Sequence, residues 1–225
     1  MPEKVIELER LSKSFNRNKI LDSITLSVFK GEIFCLLAKN ASGKSTLIKI
    51  ISGILKSDKG KILIENKAPI YPEVFRTISV LLENPSYYPH LTLSENLEYF
   101  LKILGEYEDE LPVGALGLNE HMKNRIKQLS RGTIQKIALL LSLWKIAEIY
   151  ILDEPLVHLD PDSREFIKKR ILYLKDNEKT VFLTTHLRET IGICSRIAIM
   201  EDGRITFVGD PKDSKVNDFF HGTSY

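Results

Sequence analysis

Ile33-Phe34-Cys35-Leu36-Leu37-Ala38 leads into Lys39-Asn40-Ala41-Ser42-Gly43-Lys44-Ser45-Thr46, which leads into Leu47-Ile48-Lys49-Ile50-Ile51. An apolar run, a short polar loop and a helical run predict a strand, a tight turn and a helix in that order. At such a junction the loop N–H groups and the positive end of the helix dipole face an anion. Lys44 can reach β/γ-phosphate oxygens, and the Ser45 hydroxyl can ligate Mg²⁺. The stretch therefore predicts a nucleoside triphosphate site, with Asn40, Ala41, Ser42, Gly43, Lys44, Ser45 and Thr46 around the phosphates. The full pattern has glycine six residues before the lysine. Here that residue is Ala38, and Gly43 is the only glycine of the loop.

Outward from this loop, residues 3 to 9 and Ile24-Thr25-Leu26-Ser27-Val28 alternate apolar and polar, as half-buried antiparallel strands do. Lys61 to Glu65 adds a third. Buried-type runs follow the other pattern: Ile33 to Leu37, Ile78 to Leu82, Ile149 to Leu152, Val181 to Thr184 and Ile197 to Met200. With helices mostly between them, they predict a mostly parallel sheet covered on both faces. Between Asn84 and about Leu143 no such strand occurs. Helices are expected there at Ser94 to Leu104 and Thr133 to Leu143, with Glu108 to Gly117 as the loop between them, so residues 84–143 read as an inserted helical lobe. Thr92-Leu93-Ser94-Glu95 fits a capping box for the first helix. Met200-Glu201-Asp202-Gly203-Arg204-Ile205 reads as a hairpin on an Asp-Gly turn. From Pro211 the tail is polar until Phe219-Phe220. The expected fold is an α/β P-loop NTPase core with a mostly parallel sheet, an N-terminal antiparallel β subdomain and an inserted helical lobe, all in a single domain spanning residues 1–225.

Bulk composition narrows the classes of function. A chain of 225 residues has room for one large α/β domain but not for two nucleotide-binding domains. Lys+Arg 32 against Asp+Glu 30 leaves a net charge of +2, so no basic nucleic-acid footprint is expected. The longest apolar stretch, Ile137 to Trp144, ends at Lys145, well short of the ~20 residues of a membrane span. Met1-Pro2-Glu3-Lys4-Val5 lacks signal-peptide character, and a cytosolic chain is the expectation. Cys35 and Cys194 have no CxxC spacing and no histidine cluster, which predicts buried free thiols.

Three further segments carry chemistry. Ile149-Tyr150-Ile151-Leu152-Asp153-Glu154 is a buried strand ending in two carboxylates, and ligands gather at the C-terminal ends of parallel strands. Asp153 is expected to hold Mg²⁺ and Glu154 to orient or deprotonate the attacking water. Leu129-Ser130-Arg131-Gly132-Thr133 opens a helix. Ser130 is either a plain N-cap or, with Gly132, part of a helix terminus that binds the γ-phosphate of an ATP held by another molecule. Thr184-Thr185-His186 ends a strand of the same sheet, where His186 is either structural or placed to hydrogen-bond the γ-phosphate or the water. Asp160-Pro161 reads as an N-cap followed by proline at the first helical position.

Taken together, these segments resemble the ATP-binding subunit of an ABC transporter over roughly residues 3 to 210. The resemblance rests on the Walker A-like loop Ala38 to Thr46, the signature-like Leu129 to Gln135, the Walker B strand 149 to 154, the D-loop Leu159-Asp160 and the H-loop His186. It implies Phe15 as an adenine-stacking aromatic, with a core Phe as the alternative, Asp160 as a nucleotide-site residue, and Glu83 as a Mg²⁺-touching residue where the family usually has Gln. It also implies Mg·ATP hydrolysis in a head-to-tail dimer, homomeric or heteromeric, at the cytoplasmic membrane face. There the dimer drives a separate transmembrane permease subunit, whose short helix presses into a groove between Glu83 and the lobe. Glu83 and Pro85 to Thr92 look similar to exporter-like members, and the expectation of export rests on them alone. A soluble ABC ATPase in a non-transport complex is the alternative, although no coiled coil or second cassette is present. A GTPase or small-molecule kinase lacks an Asn-Lys-x-Asp motif and leaves the signature helix unexplained. Against the family pattern, Lys39 replaces the usual Pro, Arg131 the first signature Gly and Thr133 the usual Gln.

Overall fold

The computed structural model describes residues 2–39, 41–82, 87–103 and 105–221. Strands β1 (Lys4–Phe15), β2 (Asn18–Phe29) and β4 (Lys59–Ile64) pair antiparallel in the order β2-β1-β4. A second sheet of six strands has the order β5-β6-β7-β3-β8-β9, from β3 (Ile33–Ala38), β5 (Ile78–Leu81), β6 (Ile149–Asp153), β7 (Thr180–Thr185), β8 (Arg196–Glu201) and β9 (Arg204–Gly209). All its pairings are parallel except β8 with β9. That hairpin turns on Asp202 (φ 45°) and Gly203 (φ 73°), the left-handed pair expected of Asp-Gly.

Residue alternation along β3 sorts the protein into two cores. Phe34, Leu36 and Ala38 face helix α1 (Lys44–Ile51) and the antiparallel sheet. Ile33, Cys35 and Leu37 face the opposite layer, made by α3 (Arg131–Leu143), α4 (Pro161–Asp176) and α5 (Ser214–His221). Every residue of β3 is fully buried, which is why the strand reads as a continuous apolar run rather than an alternating one. The tail beyond Pro211 is more ordered than its polar composition indicated. It folds as α5, with Val216 and Phe219 in the core and Asn217 accepting from Arg188 at 2.8 Å.

The lobe contains α2 (Leu93–Ile103), single 3₁₀ turns at Asn119–His121 and Ile126–Gln128, and α3, and no strand is found among its described residues. The capping box at its entrance is formed: Thr92 N–H donates to Glu95 Oε2 at 2.7 Å, and Glu95 N–H reaches Thr92 Oγ1 at 3.3 Å. Arg170 of α4 fastens the other end of the lobe. Its guanidinium is buried, donates twice to the Leu143 carbonyl near the end of α3 (Nε 3.1 Å, Nη2 2.8 Å), stacks 4.6 Å from the Trp144 ring centroid and pairs with Glu108.

Cys35 and Cys194 are both free; Cys35 is buried as expected, whereas Cys194 is only half-buried. Burial, and secondarily the Cys194 thiol beside it, push the Cys35 thiol well above its ordinary range. No helix among the described residues is long and apolar enough to cross a membrane.

Arg170→Met keeps the aliphatic stem but strands the Leu143 carbonyl and the Glu108 carboxylate. The expected cost is about 2–3 kcal/mol, the worth of hydrogen bonds to a charged donor, read as a lower urea midpoint with an unchanged slope. Wild-type stability would show that Arg170 does not anchor the lobe.

Candidate active site

Parallel register brings three strand ends together. Asp153 of β6 lies opposite Thr184 of β7, and Thr185 of β7 lies opposite Leu37 of β3, one residue before Ala38. The acids, the histidine and the phosphate-type loop therefore open at one edge. They line a cavity of about 820 Å³ that includes Ala41 to Thr46, Asp153, Glu154 and His186.

Gly43 caps α1 with φ 101°, and a Cβ there would lie 2.9 Å from the Ile20 carbonyl, so glycine is required by conformation and by space together. Ala38 ends β3 with ordinary strand backbone, whereas Ala41 sits at φ 61°. Strain in the glycine-poor loop thus falls on Ala41, where the sequence drew attention to Ala38. Asn40 lies outside the described residues.

Buried Asp153 accepts from Thr184 Oγ1 at 2.6 Å, and the same hydroxyl accepts from Glu154 N–H at 3.2 Å. One threonine thus orients both acids, a role that sequence reading did not assign, although its signal was present in the run Thr184-Thr185-His186. Glu154 has left-handed backbone (φ 49°), which turns its side chain into the cavity beside Lys44. Its Oε1 lies 2.9 Å from Lys44 Nζ and 2.9 Å from His186 Nδ1. Its Oε2 is buried with no hydrogen-bond partner among the described residues, as is Ser42 Oγ. Lys44 also donates to the Ala38 carbonyl at 2.8 Å, so among the described residues two of its three N–H donors are engaged. A cavity with an ammonium, the amino end of α1 and a carboxylate can bind phosphate oxygens and take a proton from water. With Nδ1–H donating to Glu154, His186 donates from Nε2 only as the imidazolium.

The rest of the predicted set is more dispersed. Ser130 caps α3, its Oγ accepting from Thr133 N–H at 3.1 Å and lying 2.8 Å from Thr133 Oγ1. A Cβ on Gly132 would lie 2.9 Å from the His158 carbonyl, so this glycine admits the loop after β6 against α3. Neither lines the cavity of its own chain; Arg131, Ile134 and Gln135 of the same helix do. Asp160 does not line it either. It caps α4 through Ser163 N–H at 2.9 Å and pairs with Lys136 at 2.6 Å, contacts that together hold its carboxyl well below the usual carboxylate range. Phe15 is 45% exposed, which removes the core alternative, and Lys13 Nζ lies 5.4 Å from its ring centroid. The residue of that hairpin that lines the cavity is Ile20, which the sequence reading missed. Glu83 lies outside the described residues. A second cavity, about 1010 Å³, runs between β5 and the lobe and is lined by aromatic residues including Tyr71, Phe75, Tyr87, Phe100 and Tyr107.

Residues 21–157 match the family model described as ABC transporter. An uncharacterized ABC transporter ATP-binding protein of Bacillus subtilis, YdbJ, is 35% identical over 213 residues, covering 91% of this chain and 69% of the relative. A spermidine/putrescine import ATP-binding protein of Thermotoga maritima, PotA, is 30% identical over 226 residues, covering 95% of this chain and 61% of the relative. This chain thus spans about three fifths to two thirds of these relatives. The solved structure of an ATP-binding subunit of an ABC transporter superposes with a TM-score of 0.84 at 26% identity, covering 98% of this chain and 95% of that one.

Ala41→Gly should stabilise the fold by about 0.5–1 kcal/mol by relieving the left-handed alanine, against glycine's greater unfolded-state entropy. Ala38→Gly in the strand should cost about the same. Chemical denaturation of both variants checks this; equal effects of one sign would show that Ala41 is unstrained.

Proposed function

Because the chain belongs to the ABC transporter ATP-binding family and is an ATPase cassette, we propose that it hydrolyses Mg·ATP in a head-to-tail dimer and drives a separate membrane-spanning partner. The observation that carries this reading is the convergence of Lys44 and His186 on one oxygen of Glu154, the other oxygen being without a partner among the described residues, at a cavity that also reaches α3.

In this reading the amino end of α1, Lys44 and Ser42 hold the phosphates. Glu154 accepts the proton of the attacking water while Lys44 and His186 keep the carboxylate in place. Thr184 fixes the direction of both acids. Ser45 and Asp153, a hydroxyl and a carboxylate, suit Mg²⁺, which takes few protein oxygens and completes its shell with water and phosphate. When bound, the ion neutralises charge on the β- and γ-phosphates. Glu83 would complete that environment, and Phe15 would stack on adenine at the open edge beside Ile20. Ser130 and Gly132, set apart from their own chain's cavity, would meet the γ-phosphate held by the other chain, with Asp160 bracing that interface.

The aromatic groove beside β5 is our assignment for the partner's short helix. Lys145 lines it but is engaged by the Ile78 carbonyl at 2.9 Å, so an apolar or aromatic insertion suits it better than an acidic one. Through that partner the cassette would sit on the cytoplasmic membrane face. We attribute the direction of transport to the partner. The export reading rests on Glu83 and its neighbours, while a relative at 30% identity is named for import. The ATP chemistry serves either direction.

Glu154→Gln should slow hydrolysis at least about 10²-fold, the usual worth of a general base, while ATP binding persists and an ATP-dependent dimer accumulates in gel filtration. Turnover near wild type would remove Glu154 from that role. The composite site is tested by mixing Ser130→Arg with Lys44→Ala, each inactive alone. One interface site of the mixed dimer carries both lesions and the other carries neither, so activity should return. A monomeric enzyme would recover nothing.

A further inference from the structure

Two loops meet at Glu154: residues 154–160, which follow β6, and residues 186–189, which follow β7 and begin with His186. One side chain of α4 touches both. Arg164 donates from Nη1 to Glu189 Oε1 at 2.7 Å and from Nη2 to the Leu159 carbonyl at 3.1 Å. Glu189 lies in the first turn of the 3₁₀ segment Arg188–Ile193, three residues beyond His186. A planar guanidinium offers these two donors in a fixed relation, which a single ammonium does not. Lys168, one turn further along α4, also reaches Glu189, at 3.4 Å. Neutralising Glu189 therefore does not require Arg164, whereas the bridge to Leu159 does. The ion pair is partly exposed, with side-chain accessibilities of 30% and 39%, and Arg164 Nε is buried with no hydrogen-bond partner among the described residues. Exposed pairs add little to stability, and an unpaired buried N–H detracts from it. Arg164 thus contributes little to holding the fold, yet its contacts fall on the two loops that bring Glu154 and His186 within 2.9 Å of each other.

We infer that Arg164 is a positioning residue for hydrolysis: by tying the loop that starts at Glu154 to the loop that starts at His186, it keeps the imidazole Nδ1 on the Glu154 carboxylate. This inference rests on the roles proposed above for Glu154 and His186. Arg164 does not line the cavity, so it acts through the loops and not on the nucleotide. The other printed contacts of the His186 segment run elsewhere. Leu187 N–H donates to Thr185 Oγ1 at 3.0 Å, and Arg188 donates to Asn217 at 2.8 Å. They fasten the segment to β7 and to α5, and neither reaches the loop after β6. A rate depends on position more steeply than stability does, since a misplacement of about 1 Å at a reacting group can cost about 10²-fold. A contact too weak to move the melting temperature far can therefore still set turnover.

The test measures steady-state ATPase activity of the full chain for wild type, Arg164→Met and Arg164→Lys. Single-turnover hydrolysis of radiolabelled ATP at excess protein extends the measurement to His186→Ala and to His186→Ala combined with Arg164→Met. Arg164→Met keeps the aliphatic stem and should lower kcat by about tenfold, equivalent to about 1.4 kcal/mol. KM for ATP should stay within about twofold, and the melting temperature should fall by no more than about 4 °C. Arg164→Lys, which can satisfy one acceptor but not both, should fall between. In the His186→Ala background Arg164→Met should change the rate by less than about twofold, because the contact it positions is already gone. An unchanged kcat would overturn the inference, and so would an equal loss in both backgrounds, which would make Arg164 act apart from His186. A parallel rise in KM would overturn it by placing Arg164 in nucleotide binding, and a larger fall in melting temperature would mark a structural residue. Should Arg164→Met fail to fold, Arg164→Lys carries the same cycle with His186→Ala. If His186→Ala alone leaves kcat at the wild-type value, the reading of the site fails first and the Arg164 assignment falls with it.

Discussion

One carboxylate oxygen, Glu154 Oε1, accepts from Lys44 at the start of α1 and lies within hydrogen-bond distance of His186 beyond β7. Glu154 itself follows β6, so a single acceptor joins three separate segments of chain. The contacts hold only while β6, β7 and β3 keep their register. A one-residue slip in a strand would send its side chains to the opposite face. Burial enforces that register: the residues of β3, β6 and β7 are buried on both faces, and any slip would exchange the two cores. The hydrophobic sorting of the sheet is therefore also what fixes the distance between Glu154 and Lys44.

Chemistry and stability compete at the same positions. Ala41 and Glu154 both occupy left-handed backbone, which L residues adopt at a cost. Around Glu154 the strain is balanced by local hydrogen bonds, with its N–H held by Thr184. At Ala41 the chain forgoes the glycine that would be comfortable there. Further out, Asp160 shows how one side chain can tie elements together: it caps α4 and grips Lys136 of α3, which places the loop after β6 against the start of the signature helix. The missing Cβ of Gly132 admits the His158 carbonyl at that contact.

Much of this was legible from residues alone, and the reasons differ from place to place. The parallel strands were readable because burial on both faces leaves continuous apolar runs, and the capping box at Thr92 because its two hydrogen bonds depend on residues three apart. Lys44, Asp153 and Glu154 were readable because each follows directly on a strand or tight loop. Helix α5 was not, because its two core contacts, Val216 and Phe219, are spaced by three in a short polar segment whose stability comes from the layer it docks on. Ile20 was missed because its place at the cavity follows from the β1–β2 hairpin folding over α1, a contact distant in sequence.

By itself, the sequence determined the order of elements, the two-sided sheet and the identity of the groups proposed to meet phosphate, because these depend on local periodicity and on residues a few positions apart. Only the tertiary structure decided which Glu154 oxygen is left without a partner among the described residues, that Thr184 orients both carboxylates, that strain lies at Ala41 rather than Ala38, and that Cys35 meets Cys194. Each of these turns on backbone dihedrals or on distances between segments far apart in the chain. Such quantities are set by packing register, and no local pattern of residues encodes them.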